Sequence, residues 1–230
     1  MKYSLMAFLV FASIQGHSQE LVFSSGLNTT KYDYKDPSGQ TNENLNNGIG
    51  NFYEIGYTAP IGEGRFHYSL GVVLNEYNAK GGTMSSVYSW RTKYLGIQGG
   101  LSYIMITSGS GFKTALNLAL QTSSIISGEQ GINGAFFDLS KQEEFRGIFL
   151  QPIAGIDISY PVSDKLTLAL GYNYSKSSKF TNRMDEVLNF SNNQWQIRLQ
   201  IALKEKNDKT EPTTIKNIEE ADIIRNPERL

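Results

Sequence analysis

Apolar and polar residues alternate with a period of two through eight segments of the chain, at about 21–33, 48–59, 65–77, 91–105, 112–124, 148–160, 165–175 and 194–203. Successive side chains of an extended chain point to opposite sides, so this alternation predicts strands with one apolar and one polar face. In LTLALGYNYSK (166–176), Leu166, Leu168, Leu170, Tyr172 and Tyr174 fall on one side, with Thr167, Ala169, Gly171, Asn173 and Ser175 on the other. Most of the segments run 10 to 13 residues. Soluble strands cluster near about 5–6 residues and membrane-crossing strands near about 9–11.

The connections alternate as well. PIGEG (60–64), ITSGSG (106–111) and PVSDK (161–165) are tight turns, whereas the stretches near 34–47, 78–90, 125–147 and 176–193 are long. Bacterial outer-membrane barrels have short periplasmic turns, long extracellular loops and both chain ends on the periplasmic side. Eight strands with this parity satisfy that plan. A soluble up-and-down barrel of lipocalin type also has eight strands, but nothing requires its loops to alternate in length.

The composition of the two faces decides which one is inside. One face gathers Leu70, Val72 and Leu74, Leu95 and Ile97, Leu116, Leu118 and Leu120, Ile156 and Ile158, and Trp195, Ile197 and Leu199. The other carries Ser69, Gly71, Asn75, Gly96, Gln98, Asn117, Gln121, Gly155, Gln196 and Gln200, with few charges. A water-facing surface would be rich in Lys and Glu. Small neutral polar residues suit the narrow lumen of an eight-stranded barrel, and bulky apolar ones suit lipid. Glu54, Lys113, Asp157 and Arg198 all share the polar parity. They are expected to form a lumenal charge network in which Glu54 and Arg198 are bridged, since an unpaired buried charge is costly. The predicted fold is therefore all-β, an eight-stranded antiparallel up-and-down transmembrane barrel with a packed polar interior. Tyr57, Tyr77, Tyr88, Trp90, Tyr103, Tyr160, Tyr174 and Trp195 are expected in interfacial girdles. Arg91 and Lys93 carry the outward parity near an extracellular strand end, and Pro152 interrupts a strand near the same rim.

The N-terminus supports export. Lys2 precedes an apolar run from Leu5 to Ile14, and Gly16 and Ser18 sit before a plausible cut ahead of Gln19. The run is too short to span a bilayer as a helix. The expected organisation is a cleaved signal peptide at 1–18, a barrel at 19–203 and a polar periplasmic tail at 204–230. That tail has six basic and seven acidic residues among 27. Over the whole chain, 21 Lys+Arg balance 22 Asp+Glu, which gives no electrostatic case for nucleic acid. Cysteine is absent, which removes disulfides and thiolate metal sites.

With the signal segment, the alternating strands, the loop parity and stretches such as QPIAGIDISYPVSDKLTLALGYNYS, residues 20–203 resemble the small outer-membrane barrels of the OmpA/OmpX type. More narrowly, the chain looks like the outer-membrane β-barrel proteins of Bacteroidetes that include the PorT-like group. The resemblance implies an outer-membrane location among lipid and lipopolysaccharide, and a carboxylate–guanidinium pairing of Glu54 with Arg198 inside the barrel. Some members of that group are tied to protein secretion, so a secretion accessory is one version of the function it implies. Outer-membrane barrels commonly end on an aromatic residue; this chain instead closes its last strand with QIRLQIAL.

Candidate chemistry is sparse. His67 is the only histidine beyond the signal segment, which excludes a multi-histidine metal site within one chain. His67 and Ser69 share a strand face, as a base and its nucleophile would. Eight-stranded lipid A deacylases use such a His-x-Ser pair, and a lipid-modifying enzyme is the alternative reading. The lumenal position and the lack of an acidic partner favour a hydrogen-bonding histidine. Asp138, Glu143, Glu144, Asp185 and Glu186 are loop carboxylates that read as solvated rather than as a calcium site. Phe136, Phe137, Phe145, Leu188 and Phe190 form a candidate loop surface that packs on itself or meets a protein partner, with the tail as a second place for one. No catalytic residue, cofactor or metal is expected.

Overall fold

The computed structural model describes residues 19–35, 45–83, 86–180 and 187–203. The expected signal peptide and C-terminal tail lie outside the described residues. The elements are β1 (Glu20–Lys35), β2 (Leu45–Pro60), β3 (Phe66–Thr83), β4 (Ser86–Thr107), β5 (Lys113–Ile132), β6 (Ala135–Asp138), a 3₁₀ turn (Leu139–Lys141), β7 (Ile148–Pro161), β8 (Leu166–Lys179) and β9 (Val187–Ala202). Each long strand pairs antiparallel with the next, β5 passes to β7, and β9 returns to β1 from Glu20↔Ala202 to Lys35↔Val187. The eight long strands thus close into a barrel with no free edge. β6 is a short hairpin arm on the far end of β5.

Over the half nearest the short turns, the faces follow the alternation read from the sequence. Leu118, Leu170 and Trp195 point outward, exposed by 66%, 61% and 65%. Ser24, Glu54, Asp157, Asn173 and Gln196 on the opposite parity are buried in the lumen. Aromatic pairs ring the outside of this end: Tyr57–Tyr68, Phe66–Tyr103 with ring centroids 4.9 Å apart, and Phe112–Tyr160 at 4.6 Å.

Toward the long-loop end the strands outrun their expected bounds. Residues 78–90, expected as a loop, are mostly the continuation of β3 and β4, paired from Asn78↔Arg91 to Thr83↔Ser86. β5 likewise continues to Ile132, where Asn133 (φ 48°) and Gly134 (φ 88°) turn the chain into β6. An Asn-Gly pair supplies the two positive φ values that a tight hairpin of this twist requires. The alternation persists in these extensions, but its polarity reverses. Tyr77, Ala79, Trp90, Tyr94, Phe149, Leu188 and Phe190 now point inward and are buried, while Lys80, Arg91 and Lys93 point out. The segments read as loops because their outward positions are polar and they carry Gly, Ser, Asn and Lys. Tyr77 and Trp90 are accordingly core residues and not part of an interfacial girdle.

Two irregularities fall where the sequence marked them. The β4–β5 register slips between Lys93 and Tyr94, beside the outward Arg91 and Lys93. Pro152 pairs with Leu120 on one side, but the β7–β8 ladder skips residues 151 and 152, as expected where an N–H is missing.

The lumen as candidate functional site

The barrel interior is built in three tiers. The lowest, at the short-turn end, holds the charges. Arg198 on β9 is hydrogen-bonded through Nη1 to Asp157 on β7 and stands 4.0 Å from Glu54 on β2. The Ser24 hydroxyl donates to Glu54 (2.9 Å), and Arg198 Nε lies 3.4 Å from the same Ser24 oxygen. The pairing register explains the meeting: Glu54 faces Ser24, Ser24 faces Arg198 and Arg198 faces Ala169, so the groups follow one another around the wall. Gly171 faces both Asp157 and Gln196. A Cβ at Gly171 would overlap Asp157 Oδ1 and stand 2.9 Å from Gln196 Nε2, so the missing side chain is what lets the carboxylate lie over the wall.

Beside this network is a cavity of about 130 Å³. Its wall includes Glu54, Asp157 and Arg198, and across β3, β4 and β5 it includes His67, Ser69, Ser102, Lys113 and Asn117. Glu20, Lys113, Pro161 and Thr167 also line it. They stand at or next to the ends of their strands, so the cavity opens at the short-turn end.

The second tier is a belt of side-chain amides across the lumen. Asn192 donates to Asn28, and Asn28 to Asn75, both at 3.0 Å. Asn75 then donates to Gln121 (3.3 Å), Gln121 to Gln151 (3.3 Å) and Gln151 to Ser175 (2.6 Å). The run touches six of the eight strands and is buried throughout. Buried amides are tolerable only when paired, and here each supplies its neighbour.

The third tier is aromatic. Tyr32, Tyr77, Trp90, Tyr94, Phe145, Phe149 and Phe190 pack with Leu139 and Leu188 as one buried cluster. Tyr77–Phe190 centroids are 4.4 Å apart, and Trp90–Phe145 and Tyr94–Phe149 meet edge to face. The tier is tied to the belt below it by the Tyr77 hydroxyl, which donates to Gln151 (3.0 Å). Leu139 and Phe145 come from the connection between β6 and β7, so that loop closes the top of the barrel.

The sequence-derived candidates divide accordingly. Glu54, Asp157 and Arg198 are brought together, whereas Lys113 lines the cavity and makes no ion pair among the described residues. His67 and Ser69 both line the cavity, and no hydrogen bond joins them. Of the expected loop surface, Phe136 and Phe137 on β6 are exposed. Phe145, Leu188 and Phe190 are buried in the aromatic tier, because the loop folds inward and because Leu188 and Phe190 belong to β9 with inward parity. The interior is therefore polar in its two lower tiers and apolar in the third. Asp138 is engaged locally: the Ser140 hydroxyl and backbone N–H both donate to it, at 2.6 and 2.9 Å, and Lys141 stands 3.6 Å away. Those hydrogen bonds, with Lys141, hold its carboxyl below the usual aspartate range. Asp185 and Glu186 lie outside the described residues. Among the described residues no group of three or more His, Asp or Glu side chains gathers as metal ligands would.

Solved barrels resemble the chain. Neisserial surface protein A aligns over 80% of this chain and 99% of its own, at 14% identity and a TM-score of 0.47. The outer membrane protein OprG from Pseudomonas aeruginosa aligns over 82% and 97%, at 12% identity and 0.40. The outer membrane enzyme PagL aligns over 77% and 97%, at 8% identity and 0.38. No protein-family model and no curated protein matches the sequence. Likenesses this distant assign neither an activity nor a ligand. The geometry has to carry those.

The aromatic tier is what the sequence reading missed. Its signal was present as a change of phase: Tyr77 and Ala79 alternate with Asn78 and Lys80, and Trp90 and Tyr94 with Arg91 and Lys93, on the parity opposite to the leucines.

Proposed function

We propose that this protein is a non-enzymatic outer-membrane barrel, exported by residues 1–18, with its short turns in the periplasm and its long loops outside the cell. The observation that carries this reading is the reversal of apolar side chains along single strands. On β3, Leu70 and Val72 are outward and exposed, while Tyr77 and Ala79 farther along are inward and buried. A surface wrapped in lipid favours the first arrangement, and a surface in water favours the second. A soluble lipocalin-like barrel would keep its apolar residues inside along its whole length.

The amide belt and the aromatic tier fill the lumen, so the barrel does not act as a pore. Its role is structural or partner-binding, exercised within lipid and lipopolysaccharide, with Phe136 and Phe137 offering an exposed apolar contact on the loop side. The strand and loop pattern, which resembles that of the PorT-like group of Bacteroidetes, makes a secretion accessory one form of that role. His67 and Ser69 face the lumen, on the side of the wall away from lipid, which disfavours a lipid-modifying enzyme. The test is reconstitution. Detergent-extracted protein that migrates faster before boiling than after, and that passes no small solutes in liposomes, fits the proposal. Release by osmotic shock or measurable solute flux contradicts it. A change in lipid A acylation on Ser69→Ala would restore the enzymatic reading.

A further inference from the structure

The periplasm-facing cavity is charged differently on its two sides, and its polar groups are not all used by the protein. On the β3–β5 side stand His67, Ser69, Ser102, Lys113 and Asn117, with one formal positive charge and no carboxylate. His67 Nδ1 and both amide atoms of Asn117 are buried and have no hydrogen-bond partner. Lys113 has no carboxylate within ion-pair distance among the described residues. On the other side one guanidinium, Arg198, serves two carboxylates, Asp157 and Glu54, which leaves an excess negative charge. Asp157 is only 6% exposed, yet its Oδ1 also has no partner. An unpaired buried carboxylate oxygen is expensive unless something comes to meet it.

We infer that this cavity binds a small zwitterion, of the size and charge pattern of glycine or alanine, entering from the short-turn end. Its carboxylate meets Lys113, His67 and the Asn117 amide, and its ammonium meets the Asp157–Glu54 side. The volume suits this size: a cavity near 150 Å³ holds a six-atom ring, and this one is about 130 Å³. A simple anion would satisfy the Lys113 side but leave the carboxylate side uncompensated; a simple cation would do the reverse. The amide belt crosses the lumen beyond the cavity, so the zwitterion does not pass through. This inference concerns the lower tier alone and stands apart from any partner on the loops.

The experiment is calorimetric titration of the full-length protein in detergent with glycine, L-alanine, acetate and methylammonium. Saturable binding of glycine and alanine is expected, with acetate and methylammonium each about tenfold weaker or more, as loss of one charge-assisted contact implies. Lys113→Gln should weaken glycine by about tenfold or more while leaving thermal unfolding unchanged, since Lys113 supports no ion pair. Asn117→Ser provides a second variant and should weaken glycine without moving methylammonium. Acetate binding as tight as glycine would reassign the cavity to anions. Absence of saturable glycine binding, or wild-type affinity in Lys113→Gln, would overturn the inference.

Discussion

At the residue scale, the lower tier depends on Gly171 as much as on the charges. Only a hydrogen at that position leaves room for Asp157 to lie across β8 and reach Arg198. Gly171→Ala should displace the carboxylate, and disrupting a buried pair in this way costs about 3–5 kcal/mol. A fall of that size in the unfolding free energy from urea titration in detergent would bear this out, and an unchanged value would show that Asp157 can settle elsewhere. Arg198→Gln should cost about as much, because it strands two carboxylates together. Lys113→Gln should fall within about ±0.5 kcal/mol, the range of substitutions that break no buried contact. Glu54, Lys113, Asp157 and Arg198 were legible in the sequence as lumenal residues because parity alone fixes the face. That Asp157 joins Glu54 and Arg198 while Lys113 stands apart was not legible, since that depends on the stagger between β2, β7 and β9, and stagger leaves no mark on any one strand.

At the element scale, the connection from β5 to β7 behaves as a lid with its own anchors. Asn133-Gly134 turns β5 into β6, Asp138 starts the 3₁₀ turn, and Leu139 and Phe145 enter the aromatic tier. Phe145 is 3% exposed and meets Trp90 edge to face. Truncating such a side chain to Ala removes about 3–5 kcal/mol of packing. Because the ladder of eight strands does not include this loop, Phe145→Ala should release the loop and spare the barrel. Limited proteolysis should then cut between about 133 and 147 while the heat-modifiable gel shift persists; loss of that shift would show that the lid supports the whole fold. The anchor at Asp138 has a pH signature. Its carboxyl is held below the ordinary aspartate range by Ser140 and Lys141, so its contribution is complete above that range. It is lost only as the pH falls through the depressed value, and protease sensitivity of the loop should rise there and not near neutrality. The sequence marked 125–147 only as one long connection, and its apolar residues and its neighbour's, five in all, read as one surface. Composition could not separate Phe136 and Phe137, which stay outside, from Phe145, which folds in.

At the scale of the whole molecule, two opposite arrangements of apolar side chains run along the same strands, and the proposed membrane reading assigns them to lipid and to water. The leucine face was legible because a long run of one polarity needs only the period-two rule. The aromatic tier was not, because a single phase, apolar outward, does not hold along the whole strand: beyond the leucine stretch the apolar positions turn inward. This makes the position of that change testable. Leu118 lies on the outward face of β5, well below the charged stretch formed by Arg91 with Glu129 and Lys93 with Glu76. Asp33 is also outward and exposed, but it sits on β1 beyond Tyr32, beside the aromatic tier. Solvent exposure in the isolated protein treats the two positions alike, whereas a bilayer does not. Leu118→Lys should lower stability in phospholipid vesicles by about 2–4 kcal/mol, the cost of a cation near the bilayer midplane. Asp33→Lys should change it by no more than about ±0.5 kcal/mol, as for an exposed residue in water. Equal effects at the two sites would mean that lipid covers both or neither, and the reversal of faces would then need another cause.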